Sequence, residues 1–244
     1  MKQKILQTMF AMLVCAGASA QVNSGSNGSD GALDFSSINY TTNIVINMAD
    51  HPNGIYQYTY VNIPYNVTVT FIPNANNSPV TWLAQNSAVI NGVVNVSANL
   101  NGSWNQTVQT GGPGGYRGGN GGTAPSLGQG PGGGGIGGPI GGNASFASVG
   151  DVYTNGAFGG FSQGFSGLSY GNTFLVPLIG GSGGGGSPGG FGGGGGGAIL
   201  IAASGTITLN GLILANGSAG GYVPLCYIDR IPQGGGGAGS GGGT

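Results

Sequence analysis

The side chains that could do chemistry are few and scattered. The acids are Asp30, Asp34, Asp50, Asp151 and Asp229, with no Glu; His51 is the one imidazole; the bases are Lys2, Lys4, Arg117 and Arg230. General acid–base work needs ionisable groups brought together in one site. Asp30 and Asp34 sit close in sequence but in a Ser-, Asn- and Gly-rich stretch, and Asp50-His51 beside Pro52 reads as turn or cap chemistry. A single His cannot complete a zinc set. Serines are plentiful, but His51 is the only base for them and no G-x-S-x-G elbow occurs. No Walker lysine follows any glycine run. The expectation is therefore a protein that is not an enzyme, with no cofactor and no metal.

Function must then lie in surfaces, and composition bounds them. The chain has 59 Gly among 244 residues, far above the ordinary share of about 7%. Charged residues make up 4%, yet 39% are hydrophobic, so this is not the charged, apolar-poor composition of a disordered chain. Lys2 and Lys4, the apolar Ile5 to Ala16 and the Ala18-Ser19-Ala20 site read as a signal peptide, 1–20, with the mature chain starting at Gln21. Two arginines less five aspartates then leave a net charge of −3, with no basic patch for nucleic acid. Removal of Cys15 leaves Cys226 alone, as a small buried hydrophobe or an intermolecular link. No later segment has the apolar length of a membrane span. Localisation is expected to be secreted or at the cell surface.

The elements read as all-β. After a flexible lead-in, 21–37, the region 38–103 alternates β-branched and aromatic runs with turns: Asn43 to Asn47, Tyr56 to Val61 and Val67 to Phe71, separated by Pro52-Asn53-Gly54 and Ile63-Pro64-Tyr65-Asn66. A repeat follows. Val80 to Ala84 precedes Ala88-Val89-Ile90-Asn91-Gly92-Val93-Val94; much later Ile199 to Ala203 precedes Ile207-Thr208-Leu209-Asn210-Gly211-Leu212-Ile213 in 198–218. Two architectures fit: hairpins turning at Asn-Gly, or short strands stepping round the coils of a parallel β-helix. The short, regular strands favour stacked coils.

Between the repeats, 104–197 holds glycines at intervals of three: Gly112, Gly115, Gly118 and Gly121; Gly132, Gly135, Gly138 and Gly141; Gly180 through Gly195. Three is the period of a polyproline-II-type helix. Glycine at every third place lets such helices bond side by side; the competing reading is a flexible glycine linker. Aromatic residues interrupt the runs between Asn143 and Ile179, and a loop with a terminal glycine run occupies 219–244.

The strand units, with Ala198-Ile199-Leu200-Ile201 following Gly192 to Gly197 and running into Asn210-Gly211, resemble glycine-rich bacterial surface proteins with parallel β-helix coils. The glycine runs spaced by three resemble the polyglycine-II bundles of phage tail-tip adhesins, in which loops at the bundle ends recognise the host surface; the signal peptide departs from that pattern. Snow-flea-type antifreeze proteins are similar in period but rely on disulfides that this chain cannot form. Polysaccharide lyases with β-helices share the strand architecture, but the carboxylate cluster they need is absent from this sequence.

The expected fold is thus an all-β stack of parallel β-helix-like coils combined with a glycine-rich polyglycine-II helix bundle. The expected function is an adhesin or matrix protein whose aromatic loops bind glycans or another surface, through Tyr153, Phe158, Phe161, Phe165, Tyr170 and Tyr227. Two alternatives stand beside it: a self-associating surface-layer or filament subunit, and an ice-binding protein with ordered Thr rows.

Overall fold

The computed structural model describes residues 22–98, 109–138, 140–150, 164–172 and 174–221. Residues 1–20, expected to be a signal peptide, and Asp151, Tyr153, Phe158, Phe161, Cys226, Tyr227, Asp229 and Arg230 lie outside the described residues.

Within them the chain is all-β. The strands are β1 (Leu33–Asp34), β2 (Thr42–Asn47), β3 (Ile55–Tyr58), β4 (Val61–Ile63), β5 (Val67–Ile72), β6 (Val80–Ala84), β7 (Ala88–Ile90), β8 (Val93–Asn95), β9 (Ile199–Ala203), β10 (Ile207–Leu209) and β11 (Leu212–Leu214). They form three sheets, ordered β1-β4-β7-β10, β11-β8-β5-β2 and β3-β6-β9. Every strand pair is parallel. Consecutive strands belong to different sheets, so each trio, such as β3-β4-β5, traces one coil and the next trio stacks on it. That is a β-helix-like arrangement. It also decides the Asn-Gly question: β7 and β8 flank Asn91-Gly92 yet lie in different sheets, so the pair is a corner and not a hairpin tip.

The corners explain where the strands stop. The run from Tyr56 to Val61, expected as one strand, breaks at Thr59-Tyr60, where the chain turns from one sheet into the next. At the Asn-Gly corner, the amides of both Asn91 and Gly92 donate to Ile63 O, and those of Asn210 and Gly211 both donate to Ile90 O. Asn210 Nδ2 donates to Asn91 Oδ1 at 2.9 Å, stacking the two repeats side chain on side chain. A Cβ at Gly211 would drive into the backbone of Asn91 and Gly92, so glycine is required by close approach.

Period-two alternation fills the coil interior. Inward columns run Val61–Ala88–Ile207, Ile63–Ile90–Leu209 and Ile44–Val69–Val94–Ile213 through adjacent coils. On the third sheet Tyr56, Trp82 and Ile201 stack in register. Trp82 is fully buried and meets Tyr58 edge-on and Phe71 at a tilt.

The segment expected to be a flexible lead-in is tied down instead. Ser24 Oγ donates to Ala84 O at 2.7 Å and its amide to Ser204 Oγ; Ser26 Oγ donates to Tyr58 O at 2.8 Å; the Asp30 amide donates to Gln57 O. This strap crosses all three coils at one corner. Short hydroxyl side chains reach carbonyls the corners leave free, a pattern that Ser-, Asn- and Gly-rich composition hides.

The glycine-rich runs leave the stack after β8 and return at β9. They carry neither strand nor helix beyond one isolated bridge between Ser187 and Gly190. Their amides bond between runs in steps of three. Tyr116, Gly119 and Gly122 donate to Gly181, Gly184 and Ser187; Gly181, Gly184 and Ser187 donate in turn to Gly196, Gly193 and Gly190; Gly183 and Gly186 donate to Gln129 and Ser126. Successive residues of the 180–187 run therefore bond to different neighbours, and the run is buried throughout. The layer is rooted in the coils, for Gly197 N donates to Val96 O and Ala198 N to Pro113 O.

Candidate ligand-binding surface

Of the six aromatic residues expected to bind a ligand, Phe165 and Tyr170 are described, and the structure gives them different surroundings. Both lie on the 164–170 run. Its amides at Gly167 and Tyr170 donate to Asn143 O and Phe146 O, and Phe165 O accepts from Gly135 N. Phe165 is 84% exposed. Tyr170 is a tether: its hydroxyl donates to Gly180 O at 2.7 Å and accepts from Ser182 Oγ at 2.9 Å, and its ring packs edge-on to Phe146. Ser182 is itself buried and accepts from Gly132 N.

Sequence reasoning passed over the apolar neighbours of Phe165. Leu168 is 80% exposed and Phe174 85%, with Val176 exposed beyond them. The missed signal is the interval of three between Phe165 and Leu168, both of which are exposed. Asn172 holds the following bend, its side chain accepting from Phe174 N at 2.9 Å. Solvent-facing rings on an otherwise bonded segment form the apolar surface.

A concavity of about 400 Å³ lies where the glycine layer meets the coils, lined by Asn74, Asn77, Thr110, Tyr116, Arg117 and Gln129 among others. The Arg117 guanidinium donates to Asn120 Oδ1 at 2.7 Å. Asn77 is occupied structurally, its side chain donating to Gly115 O and accepting from Gly114 N.

Among the described residues, Asp30, Asp50 and His51 gather around Tyr56 of the first coil. His51 closes a short 3-10 turn, Met48–Asp50, through its amide to Met48 O, and its ring stacks on Tyr56 at 4.1 Å. Its Nε2 lies 3.3 Å from Asp30 Oδ1, and the other Asp30 oxygen accepts from Gln57 N. The imidazole and carboxylate thus join strap to coil. Burial, then the nearby carboxylates of Asp30 and Asp50, push the Tyr56 hydroxyl up to about 12. Among the described residues no three His, Cys, Asp or Glu gather as a metal cluster.

Asp34 accepts from Ser36 N, Tyr60 OH and Asn62 Nδ2. These bonds, the Ser36 amide foremost, hold its carboxyl below the ordinary 3.8. A depressed carboxylate stabilises the fold above its unfolded pKa and loses that contribution as pH falls through the folded value. The melting-temperature gap between wild type and Asp34→Asn should accordingly narrow between neutral pH and about pH 3. A gap that does not change with pH would show that the charge at Asp34 does not matter.

The outward columns carry mixed residues: Asn43, Thr68, Val93 and Leu212 in one, Val45, Thr70, Asn95 and Leu214 in the next. Thr68 and Thr70 share one strand and Thr208 lies in another sheet, so they form no row.

No helix among the described residues is long and apolar enough to cross a membrane. No protein-family model, curated protein or solved structure matches the chain. The class that the structure defines is accordingly architectural: an all-β protein of parallel strands stacked in three sheets, carrying a hydrogen-bonded glycine-rich layer.

Proposed function

We propose that the protein is a secreted or cell-surface adhesin or matrix protein. Its coil stack anchors a glycine-rich layer, and that layer presents apolar and aromatic side chains to glycans or another extracellular surface. The three-residue bonding steps support reading the layer as a bundle of polyglycine-II-type helices, in which backbone bonds and weak Cα–H···O contacts replace side-chain packing. The observation that carries the proposal is the exposure of Phe165, Leu168 and Phe174 on a segment whose backbone is itself bonded in place. Rings held rigid lose little entropy on binding and stack on the apolar faces of sugars.

The test is binding of the mature protein to an array of bacterial and host polysaccharides, compared with a Phe165→Ser, Leu168→Ser, Phe174→Ser variant. Loss of these solvent-facing side chains should leave the fold intact. Each lost ring contact should weaken binding roughly tenfold. Equal binding by the two proteins would refute the surface assignment.

A further inference from the structure

The two ends of the coil stack are finished differently. At the first coil, the strap bonds along β3 (Asp30 N to Gln57 O, Gln57 N to Asp30 Oδ2, Thr59 N to Gly31 O), the His51 ring covers Tyr56, and Met48 is fully buried. Asp30, Asp34 and Asp50 stand at that end. The third coil has no such finish. β9, β10 and β11 are each the last strand of their sheet. Among the described residues, the backbone bonds of 199–214 run back to the second coil.

The core stops there unclosed. Ile207 and Leu209 occupy the inward columns in which Ala88 and Ile90 are fully buried, yet are themselves 48% and 50% exposed. Residues 215–221, which follow β11, do not turn across the opening. They run outward along the glycine layer, with Ser218 N donating to Gly194 O and Gly221 N to Phe191 O.

We infer that this open end is an interaction surface whose occupant is the same end of a second copy, forming a closed two-fold pair. Three unpaired strand edges offer backbone donors and acceptors in a ring around an apolar centre, the arrangement that edge-to-edge pairing completes. Charge selects the partner face. Residues 198–215 contain no charged side chain, so two such ends meet without repulsion, whereas the opposite end presents aspartates and a β3 edge covered by the strap. Self-complementary contact about a two-fold axis is the commonest closed assembly and covers the open third-coil end of both copies. The glycine layer projects from one corner and travels with each copy.

The experiment is sedimentation analysis of the full mature chain across its soluble concentration range, with hydrogen exchange on the same samples. A reversible monomer–dimer equilibrium is expected, and dilution should raise exchange in 199–214 while leaving 55–95 unchanged. Leu209→Lys should shift the protein to monomer. Because that change touches the core, Thr208→Lys on the outward face is the second variant, and it should raise the dissociation constant at least tenfold. Cys226→Ser should leave the dimer unchanged; a dimer lost in that variant would overturn the inference in favour of a disulfide link. A monomer at every concentration would overturn it, as would growing filaments. So would a monomeric full chain whose version ending at Gly221 dimerises, since its own last residues would then be the occupant.

Discussion

Gly183→Ala is expected to collapse the glycine-rich layer while the coils survive. The Gly183 amide donates to Gln129 O, and its carbonyl accepts from Gly134 N. A Cβ there would lie under 3.0 Å from the Arg117 carbonyl and the Gly118 Cα, all backbone atoms fixed by their own bonds. Overpacking against atoms that can move costs about 1–3 kcal/mol, and here nothing can rotate away, so the upper end or more applies. Gly122→Ala is the comparison. Gly122 has a φ of +84° and open space around its missing Cβ, so that change bears only the left-handed conformation, about 1–2 kcal/mol. Hydrogen exchange of 111–137 and 180–197 reads the outcome. In Gly183→Ala these amides should lose protection together; in Gly122→Ala they should keep most of it. Similar behaviour in both would mean that close approach does not hold the layer.

Trp82→Ala should be the most damaging single change in the coils, at about 3–5 kcal/mol. Trp82 fills the middle of three stacked coils, between Tyr56 and Ile201, with Tyr58 and Phe71 against its ring. No neighbour can collapse into the gap, because each is tied into its own parallel ladder. Trp82→Phe should cost far less. The indole Nε1–H is buried with no partner among the described residues, and an orphan donor of that kind costs about 1–3 kcal/mol. Phenylalanine removes that penalty along with part of the packing. Denaturant titration separates the two variants; equal losses would show that the orphan donor carries no weight.

The coils were legible because their residues obey a local rule. Alternation in Val67 to Phe71 and Ala88 to Val94 assigns each side chain a face, and the Asn91-Gly92 match to Asn210-Gly211 aligns two coils that lie far apart in sequence. The choice between hairpin and stack was not local: both place the same side chains inward, and only the sheet partner distinguishes them. The strap was missed because serine and glycine read as loop unless the carbonyls they meet are known. In the glycine layer, the period of three was visible, while the partners of each run depend on non-local backbone pairing that no side chain encodes. For the proposed binding surface, aromatic content marked the 143–179 segment but could not separate Phe165, which faces solvent, from Tyr170, whose hydroxyl is spent on Gly180 and Ser182.

The strap also imposes an order in time. Ser24 lies near the start of the described residues, yet one of its partners, Ser204, lies 180 positions later. The third coil must itself reach the second across 119 residues, as the Asn210–Asn91 bond records, where neighbouring layers such as Ile55 and Thr81 are otherwise about 26 residues apart. Closing the longer loop costs only about 1.3 kcal/mol more by the logarithmic rule, so the delay is kinetic more than thermodynamic. The strap's bonds to the first two coils need only residues 55–84, but its Ser24–Ser204 contacts wait for the last coil. That last contact is a latch that closes late, after the chain between the second and third coils has been threaded into place.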